Sequence, residues 1–140
     1  MTDPSDNGAA PGEFVQRFEV RYGDCDMQGI VFNANYLAYV DHTLDMWFRQ
    51  VLGTNYLEFF EFMVKKVTVD WQSPARAYEV LEARPGVTRW GNTSFDLVVW
   101  MEVAGRKVAR ADLVYVSIEP GTHEPTPIPD RVRGRLGEPR

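Results

Sequence analysis

The chain has 140 residues, of which 44% are hydrophobic, 25% charged and 13% aromatic, a length and balance typical of one soluble globular domain. Its formal net charge of -5 gives no overall positive field to attract a phosphate backbone, so we expect no nucleic-acid partner. The N-terminus lacks the basic start and apolar stretch of a secretion signal, and no apolar run reaches the ~20 residues of a membrane helix. Together with a single cysteine, Cys25, this predicts a cytoplasmic protein without a membrane partner.

Both ends of the chain have the composition of tails. Residues 1–12 are rich in Pro, Gly, Ser, Asp and Asn, and residues 119–140 hold five of the nine prolines and few residues that could anchor a core. We therefore predict a flexible N-terminal tail at 1–12, one domain at 13–118 and a Pro-rich flexible C-terminal tail at 119–140.

The first predicted strand lies in FVQRFEVRY, residues 14–22, where mostly apolar and mostly charged side chains alternate as in a half-buried strand. From about Asn35 to Leu52 the period changes to steps of three and four, and Gly53 supplies the expected stop. The apolar stripe of this predicted helix consists of Leu37, Val40, Leu44, Trp47, Phe48 and Val51.

Further apolar residues lie off that stripe, at Tyr36, Tyr39 and Met46, which favours a helix contacted by protein on more than one side. Strand patterns then return in FMVKKVTVDW, YEVLEARPGVTRW, TSFDLVVWMEV and VARADLVYVSI. The order strand, helix and about four strands predicts an α+β fold, with an antiparallel sheet of about five strands wrapped around one long central helix.

Most signatures of catalysis are missing from the sequence. There is no G-x-S-x-G, G-x-G-x-x-G or H-E-x-x-H pattern, and the two histidines are His42, in the middle of the predicted helix, and His123, in the predicted tail. Asp24 and Asp26 stand at a junction between strand and helix, where carboxylates can form turns or interact with helix N–H groups. A divalent metal would need further oxygen ligands that the spacing does not offer, so we expect no metal site.

The stretch RYGDCDMQGIVFNANYLAYVD, residues 21–41, resembles the opening signature of the 4-hydroxybenzoyl-CoA thioesterase-like group of hotdog-fold thioesterases. Such openings read as Tyr or Phe, x, Asp, x, Asp, two residues, Gly, Ile or His, Val, a few residues, Tyr and a long helix. VTVDWQSPA resembles the group's second-strand segment, and WGNTSF resembles a later turn, so the resemblance covers about residues 13–118. The matching positions of the opening are Tyr22, Asp24, Asp26, Gly29, Ile30, Val31, Asn35 and Tyr36.

The resemblance implies hydrolysis of an acyl- or aroyl-CoA thioester without a cofactor, CoA being part of the substrate. It places Asp26 at the catalytic position, as nucleophile or as general base, while N–H groups near the helix start polarise the carbonyl. Asp24 is expected to play a structural role. The expected substrate-binding residues are Gly29, Ile30, Val31, Asn33, Asn35 and Tyr36, with Gly29 allowing close approach to the main chain and the two asparagines capping the helix or touching the thioester.

Two departures from the group leave the handling of CoA open. Where some bacterial members carry an assisting histidine, seven residues after the aspartate, this chain has Asn33. In the hydroxybenzoyl enzyme the turn corresponding to WGNTSF is rich in Arg and Lys and contacts nucleotide phosphates. The candidates for binding CoA here are Arg89, Asn92, Thr93 and Ser94, with Arg76, Arg84, Lys65 and Lys66 as further cations.

Two alternatives remain open from the sequence: a non-catalytic acyl or aroyl ligand-binding hotdog protein, and a thioesterase that acts on acyl-carrier-protein substrates. Hotdog domains pair their sheets edge to edge or back to back, so the resemblance also implies a homodimer or homotetramer with shared active sites.

Overall fold

The structure, a computed structural model, describes residues 13–139. A short 3₁₀ turn at Tyr22–Asp24 follows the first strand and another, Tyr56–Glu58, follows the long helix. The described part confirms the predicted order of strand, long helix and four strands. Its strands and helices are β1 (Gln16–Glu19), α1 (Asn35–Leu52), β2 (Glu61–Trp71), β3 (Val80–Trp90), β4 (Ser94–Val103), β5 (Arg106–Ile118) and α2 (Asp130–Leu136).

The strands form one antiparallel five-stranded sheet in the order β1-β3-β4-β5-β2, so β1 and β2 lie at its edges. The β4–β5 hairpin turns through Ala104 (φ 49°) and Gly105 (φ 81°), both in the left-handed region that a tight two-residue hairpin requires. Pro85 lies in β3 beyond the residues that pair with β1, where the missing N–H breaks no ladder between strands.

The long helix packs on one face of this sheet. It packs chiefly on β3 and also contacts β1, burying residues such as Val40, Leu44 and Phe48, and it ends at Gly53 (φ 104°), whose N–H donates to the Arg49 carbonyl at 3.1 Å. Leu37, predicted in the buried stripe, is 46% exposed because it points toward the β2 side. The sheet therefore faces the helix without enclosing it.

The C-terminal segment differs from the prediction of a tail with few core anchors. Ile128, Val132 and Leu136 are buried in the same core as α1 and the sheet, and the Trp90 indole N–H donates to the Gly137 carbonyl at 2.9 Å. Apolar residues four apart form one face of a helix, and the prolines around them hid this pattern. The predicted tail at 1–12 lies outside the described residues. None of the helices within 13–139 is long and apolar enough to cross a membrane.

Candidate active site

A tight turn carries Asp26, and we call residues 24–32 the Asp26 turn. Cys25 pairs with Val31 across it, and the Asp26 N–H donates to the Ile30 carbonyl at 2.9 Å. At its tip the Gly29 N–H donates to the Asp26 carbonyl at 3.0 Å, and Gly29 has φ 76°, a conformation that favours glycine. The sequence DMQG thus folds back on itself and presents Asp26 at its first position.

The Asp26 side chain is exposed, and its orientation is set by the turn. Its Oδ1 accepts a 2.8 Å hydrogen bond from the Gln28 N–H. Within residues 13–139 no donor is recorded for the second carboxylate oxygen. A carboxylate held on one side and open on the other can attack a carbonyl carbon or take a proton from water.

Asp24 has a supporting role. Its Oδ2 accepts hydrogen bonds from the Tyr39 hydroxyl at 2.8 Å and the Arg21 N–H at 3.1 Å, and its carbonyl accepts one from Asn35 Nδ2 at 2.8 Å. Partial burial alone would raise the pKa of the Asp24 carboxyl, but these hydrogen bonds and the Arg21 charge outweigh it and hold the pKa below its usual value. Asp24 therefore ties the Asp26 turn to α1.

A cleft of about 290 Å³ lies against this turn and the start of α1. It brings together four predicted substrate-binding residues, whereas Gly29 and Asn35 are outside its lining. The opposite wall, Trp71–Pro74, was not among the predicted substrate-binding residues, although the strand pattern breaks there, just after Trp71. The lining residues are Ile30, Val31, Asn33, Tyr36, Trp71, Gln72, Ser73 and Pro74.

Tyr36 and Trp71 form the aromatic part of the cleft, with ring centroids 6.2 Å apart in an edge-on arrangement. Tyr36 is 1% exposed, and its hydroxyl accepts a hydrogen bond from the Ala75 N–H at 3.1 Å. Burial raises the pKa of the Tyr36 phenol, so at neutral pH this hydroxyl keeps its proton and can still donate. Trp71 is 49% exposed and forms an open wall.

The start of α1 has no side-chain cap, since its N-cap is Ala34, so neither Asn33 nor Asn35 caps the helix. The N–H groups of Asn35, Tyr36 and Leu37 donate to backbone carbonyls one turn earlier. Among the described residues, the N–H groups of Asn33 and Ala34 have no recorded acceptor. These two, rather than the first turn itself, are the backbone donors available beside the cleft.

The turn between β3 and β4, where CoA contacts were expected, lies far from Asp26 within one chain. β3 begins beside the Asp26 turn and runs eleven residues to Trp90, which separates its ends by on the order of 30 Å. Arg89 donates to Ser94 Oγ at 2.8 Å and to Asp96 Oδ1 at 2.9 Å. The hydrogen bond to Asp96 raises the Arg89 pKa.

The rest of that turn also has internal partners. The Asn92 carbonyl accepts from the Ile128 N–H at 3.0 Å, and the Thr93 carbonyl accepts from the Ser117 N–H at 2.7 Å. The Gly91 carbonyl accepts a hydrogen bond from Arg133. A Cβ at Gly91 would lie 2.8 Å from the Ser94 carbonyl oxygen, so the turn has no room for a basic side chain at this position.

A second, more apolar groove runs between α1 and β2, with a volume of about 400 Å³. Like the first cleft, this groove lies between α1 and β2. Tyr36 and Trp71 line the cleft, whereas the groove is lined by Leu37, the next residue on α1, and by Val67, on the same face of β2 as Trp71. Tyr115 forms part of its floor, and burial together with the Asp41 charge raises the pKa of its phenol to about 12. The groove is lined by Leu37, Val40, Asp41, Phe62, Val64, Val67, Leu113 and Tyr115.

His42 is exposed on α1 and lies edge-on to Phe18, with ring centroids 5.6 Å apart. Residues 13–139 contain no group of three or more His, Cys, Asp or Glu side chains arranged to hold a metal ion. The reactive groups of the cleft and the adjoining turn are the Asp26 carboxylate, backbone N–H donors and the Tyr36 hydroxyl.

Comparison with known proteins finds thioesterases among the similar sequences and structures. The acyl-CoA thioester hydrolase YbgC of Escherichia coli is 26% identical over 119 residues, which cover 81% of this chain and 87% of that protein. A thioesterase-superfamily structure from Jannaschia sp. superposes with a TM-score of 0.83 at 21% identity, covering 91% of this chain and 92% of that one. A Thermus thermophilus thioesterase complexed with coenzyme A and Zn superposes with a TM-score of 0.78 at 27% identity, covering 87% of this chain and 90% of that one.

The sequence profile of the thioesterase-like superfamily matches residues 20–136. This match includes the Asp26 turn, α1, the four strands β2 to β5, and α2. It confirms the resemblance that the opening motif carried. The chain belongs to the thioesterase-like superfamily.

Proposed function

We propose that this protein hydrolyses the thioester bond of an acyl-CoA or aroyl-CoA, giving the free acid and CoA. The observation that carries the proposal is Asp26, exposed and oriented by its own turn. Ile30 and Val31 of that turn line the cleft together with Asn33, and Asp26 itself lies outside the lining. The name of the E. coli relative and the coenzyme A in the Thermus structure support the substrate class. We further propose a cytoplasmic location, in agreement with the single cysteine.

In the proposed mechanism the thioester carbonyl lies between the Asp26 carboxylate and the N–H groups of Asn33 and Ala34. Those N–H groups stabilise the negative charge that develops on the carbonyl oxygen. If Asp26 is the nucleophile, its oxygen bonds to the carbonyl carbon, the C–S bond breaks, CoA leaves as a thiolate that takes up a proton, and water hydrolyses the anhydride. If Asp26 is a general base, it takes a proton from water as the water oxygen bonds to the carbonyl carbon. The C–S bond then breaks, and the leaving CoA thiolate receives the proton from Asp26.

The acyl group would extend from this carbonyl into the groove between α1 and β2. That groove continues the seam of the catalytic cleft and is lined mostly by aliphatic and aromatic side chains, so burying acyl carbons there is favourable by about 0.8 kcal/mol per CH₂. Trp71 and Tyr36 would flank the thioester itself.

We propose a homodimer as the minimum active unit, formed through the edge strand β2. Most of β2 is exposed, including Val64 at 54%, Val67 at 38% and Trp71 at 49%, and a long uncovered edge strand invites pairing with another chain. A second copy would cover the open side of α1, completing a sheet that wraps the helix. It would also offer its own Arg89–Ser94 turn to CoA. A homotetramer built by stacking two such dimers is the alternative.

The test is thiol release from a panel of short-chain, long-chain and aromatic acyl-CoAs, with the same acyl groups on acyl carrier protein. Turnover of at least one CoA thioester is the expected result, and the best substrate defines the acyl class. If only the carrier-protein thioesters are hydrolysed, the substrate is an acyl carrier protein thioester rather than a CoA thioester. Ligand-induced thermal stabilisation without turnover of either would make the protein a binding module.

A further inference from the structure

The position of the Asp26 turn depends on a second stretch of backbone, residues 73–79, which we call the bracing segment. The Val31 N–H donates to the Ala75 carbonyl at 2.9 Å, and the Ala77 N–H donates to the Gly29 carbonyl at 3.3 Å. Ile30 forms a bridge with Arg76 between these two bonds. The bracing segment also supplies Ser73 and Pro74 to the cleft wall, so its placement sets both the turn and the wall opposite.

Backbone hydrogen bonds join Ser73 to Val108 and Tyr78 to Val20. In addition, one side chain, that of Arg106 at the start of β5, contacts both ends of the bracing segment. Its Nη1 donates to Ser73 Oγ and to the Pro74 carbonyl, both at 2.8 Å. Its Nη2 donates to Glu79 Oε2 at 2.9 Å and Oε1 at 3.1 Å. Glu79 Oε1 in turn accepts the Arg76 N–H at 2.7 Å. The guanidinium thus bridges the first and last residues of the segment.

We propose that Arg106 is a positioning residue for hydrolysis, acting through Glu79 and the bracing segment on the Asp26 turn. This inference rests on the proposed function. The planar fork of arginine is needed, because lysine presents one compact ammonium group that cannot make the same set of directed bonds. The Arg106 and Glu79 side chains are 41% and 29% exposed, so the ion pair adds little to global stability. Its effect lies in geometry, where a displacement of about 1 Å can cost ~100-fold in rate.

Hydrogen exchange tests the brace without any substrate. In Arg106→Gln we expect the amides of Val31 and Ala77 to exchange at least about tenfold faster than in the wild type, with the core strands β4 and β5 unchanged. The matched control is Arg110→Gln on the same strand, whose guanidinium pairs with Asp112 at 2.9 Å and lies over Trp100 on the other face of the sheet. Equal protection of Val31 and Ala77 in both variants would overturn the proposal.

Kinetics tests the consequence for the reaction. We expect Arg106→Gln to lower kcat by about 10- to 100-fold while inhibition by free CoA stays within about threefold, and Arg110→Gln to change neither. Arg106→Lys should recover only part of kcat. The double variant Arg106→Gln/Glu79→Gln should have a kcat no lower than that of the slower single variant, because each substitution breaks the same Arg106–Glu79 ion pair.

The outcomes separate this inference from the proposed function. A weakened inhibition by free CoA with kcat unchanged would make Arg106 a direct CoA ligand and overturn the positioning role. If the kcat losses of the two single variants multiply in the double variant, the two residues act independently, which would also contradict the proposal. If the wild type hydrolyses no thioester, the proposed function fails, and the exchange of Val31 and Ala77 still decides whether Arg106 braces the turn.

Discussion

The Tyr39 hydroxyl donates a 2.8 Å hydrogen bond to Asp24 Oδ2, joining the second turn of α1 to the base of the Asp26 turn. Tyr39 is 8% exposed and packs its ring on Phe18 of β1, with centroids 4.9 Å apart. The helix, the first strand and the reactive turn therefore meet at one phenol. This contact makes the placement of Asp26 part of the core rather than a property of a surface loop.

Replacing Tyr39 by Phe removes that hydrogen bond and keeps the ring packing. Asp24 retains the Arg21 N–H but loses its strongest side-chain donor, so we expect a loss of about 1–2 kcal/mol in the free energy of unfolding. Urea denaturation of both proteins measures this loss. Unchanged stability together with unchanged turnover would show that the bond does not hold the turn.

The lowered pKa of Asp24 predicts how stability depends on acid. A carboxyl whose pKa is lower in the folded than in the unfolded state stabilises the fold above its unfolded pKa of about 4. That contribution is lost as the pH falls through the lower folded value. In thermal melts between about pH 5 and 2, we expect the melting temperature of Asp24→Asn to fall less steeply with decreasing pH than that of the wild type. An equally steep fall in both proteins would mean that other carboxylates cause the acid sensitivity.

The proposed dimer predicts different effects for two neighbours on β2 that face opposite sides of the sheet. Val67→Glu places a charge on the side facing the α1 groove, beside the proposed contact with the second copy, and should give a monomer. Because Val67 also lines the proposed acyl groove, the mass and not the turnover of this variant tests the dimer. Thr68→Glu points to the outer face and should leave the dimer intact. Light scattering coupled to size exclusion measures both masses. Disruption by Thr68→Glu alone would favour back-to-back sheets instead.

The packed C-terminal segment predicts that it contributes to stability. Val132 is fully buried, so Val132→Ala should lower the free energy of unfolding by about 2 kcal/mol through lost burial and a small cavity. Glu138→Ala, at an exposed position just after α2, serves as the control and should have no effect. Equal stability of all three proteins would show that residues 119–139 do not stabilise the fold, as expected for the tail predicted from composition.

The sequence predicted those features that depend on local periodicity. Side-chain spacing predicted the bounds of α1, the helix end at Gly53 and the four later strands. The motif around Asp26 identified the family. Three features escaped because they depend on tertiary contacts. The apolar face of α2 is short and lies among prolines. The Trp71–Pro74 wall of the cleft belongs to a strand end that folds back on the Asp26 turn. The exposure of Leu37 depends on where α1 packs on the sheet.

The central claim is that Asp26 carries out thioester hydrolysis, and the most direct measurement is thiol release by Asp26→Asn with the best substrate of the panel. The matched control is Asp70→Asn, which removes another exposed carboxylate, from the outer face of β2. We expect Asp26→Asn to keep the wild-type melting temperature and lose about 10²- to 10⁴-fold in kcat, with Asp70→Asn fully active. Wild-type turnover in a folded Asp26→Asn protein would contradict the account.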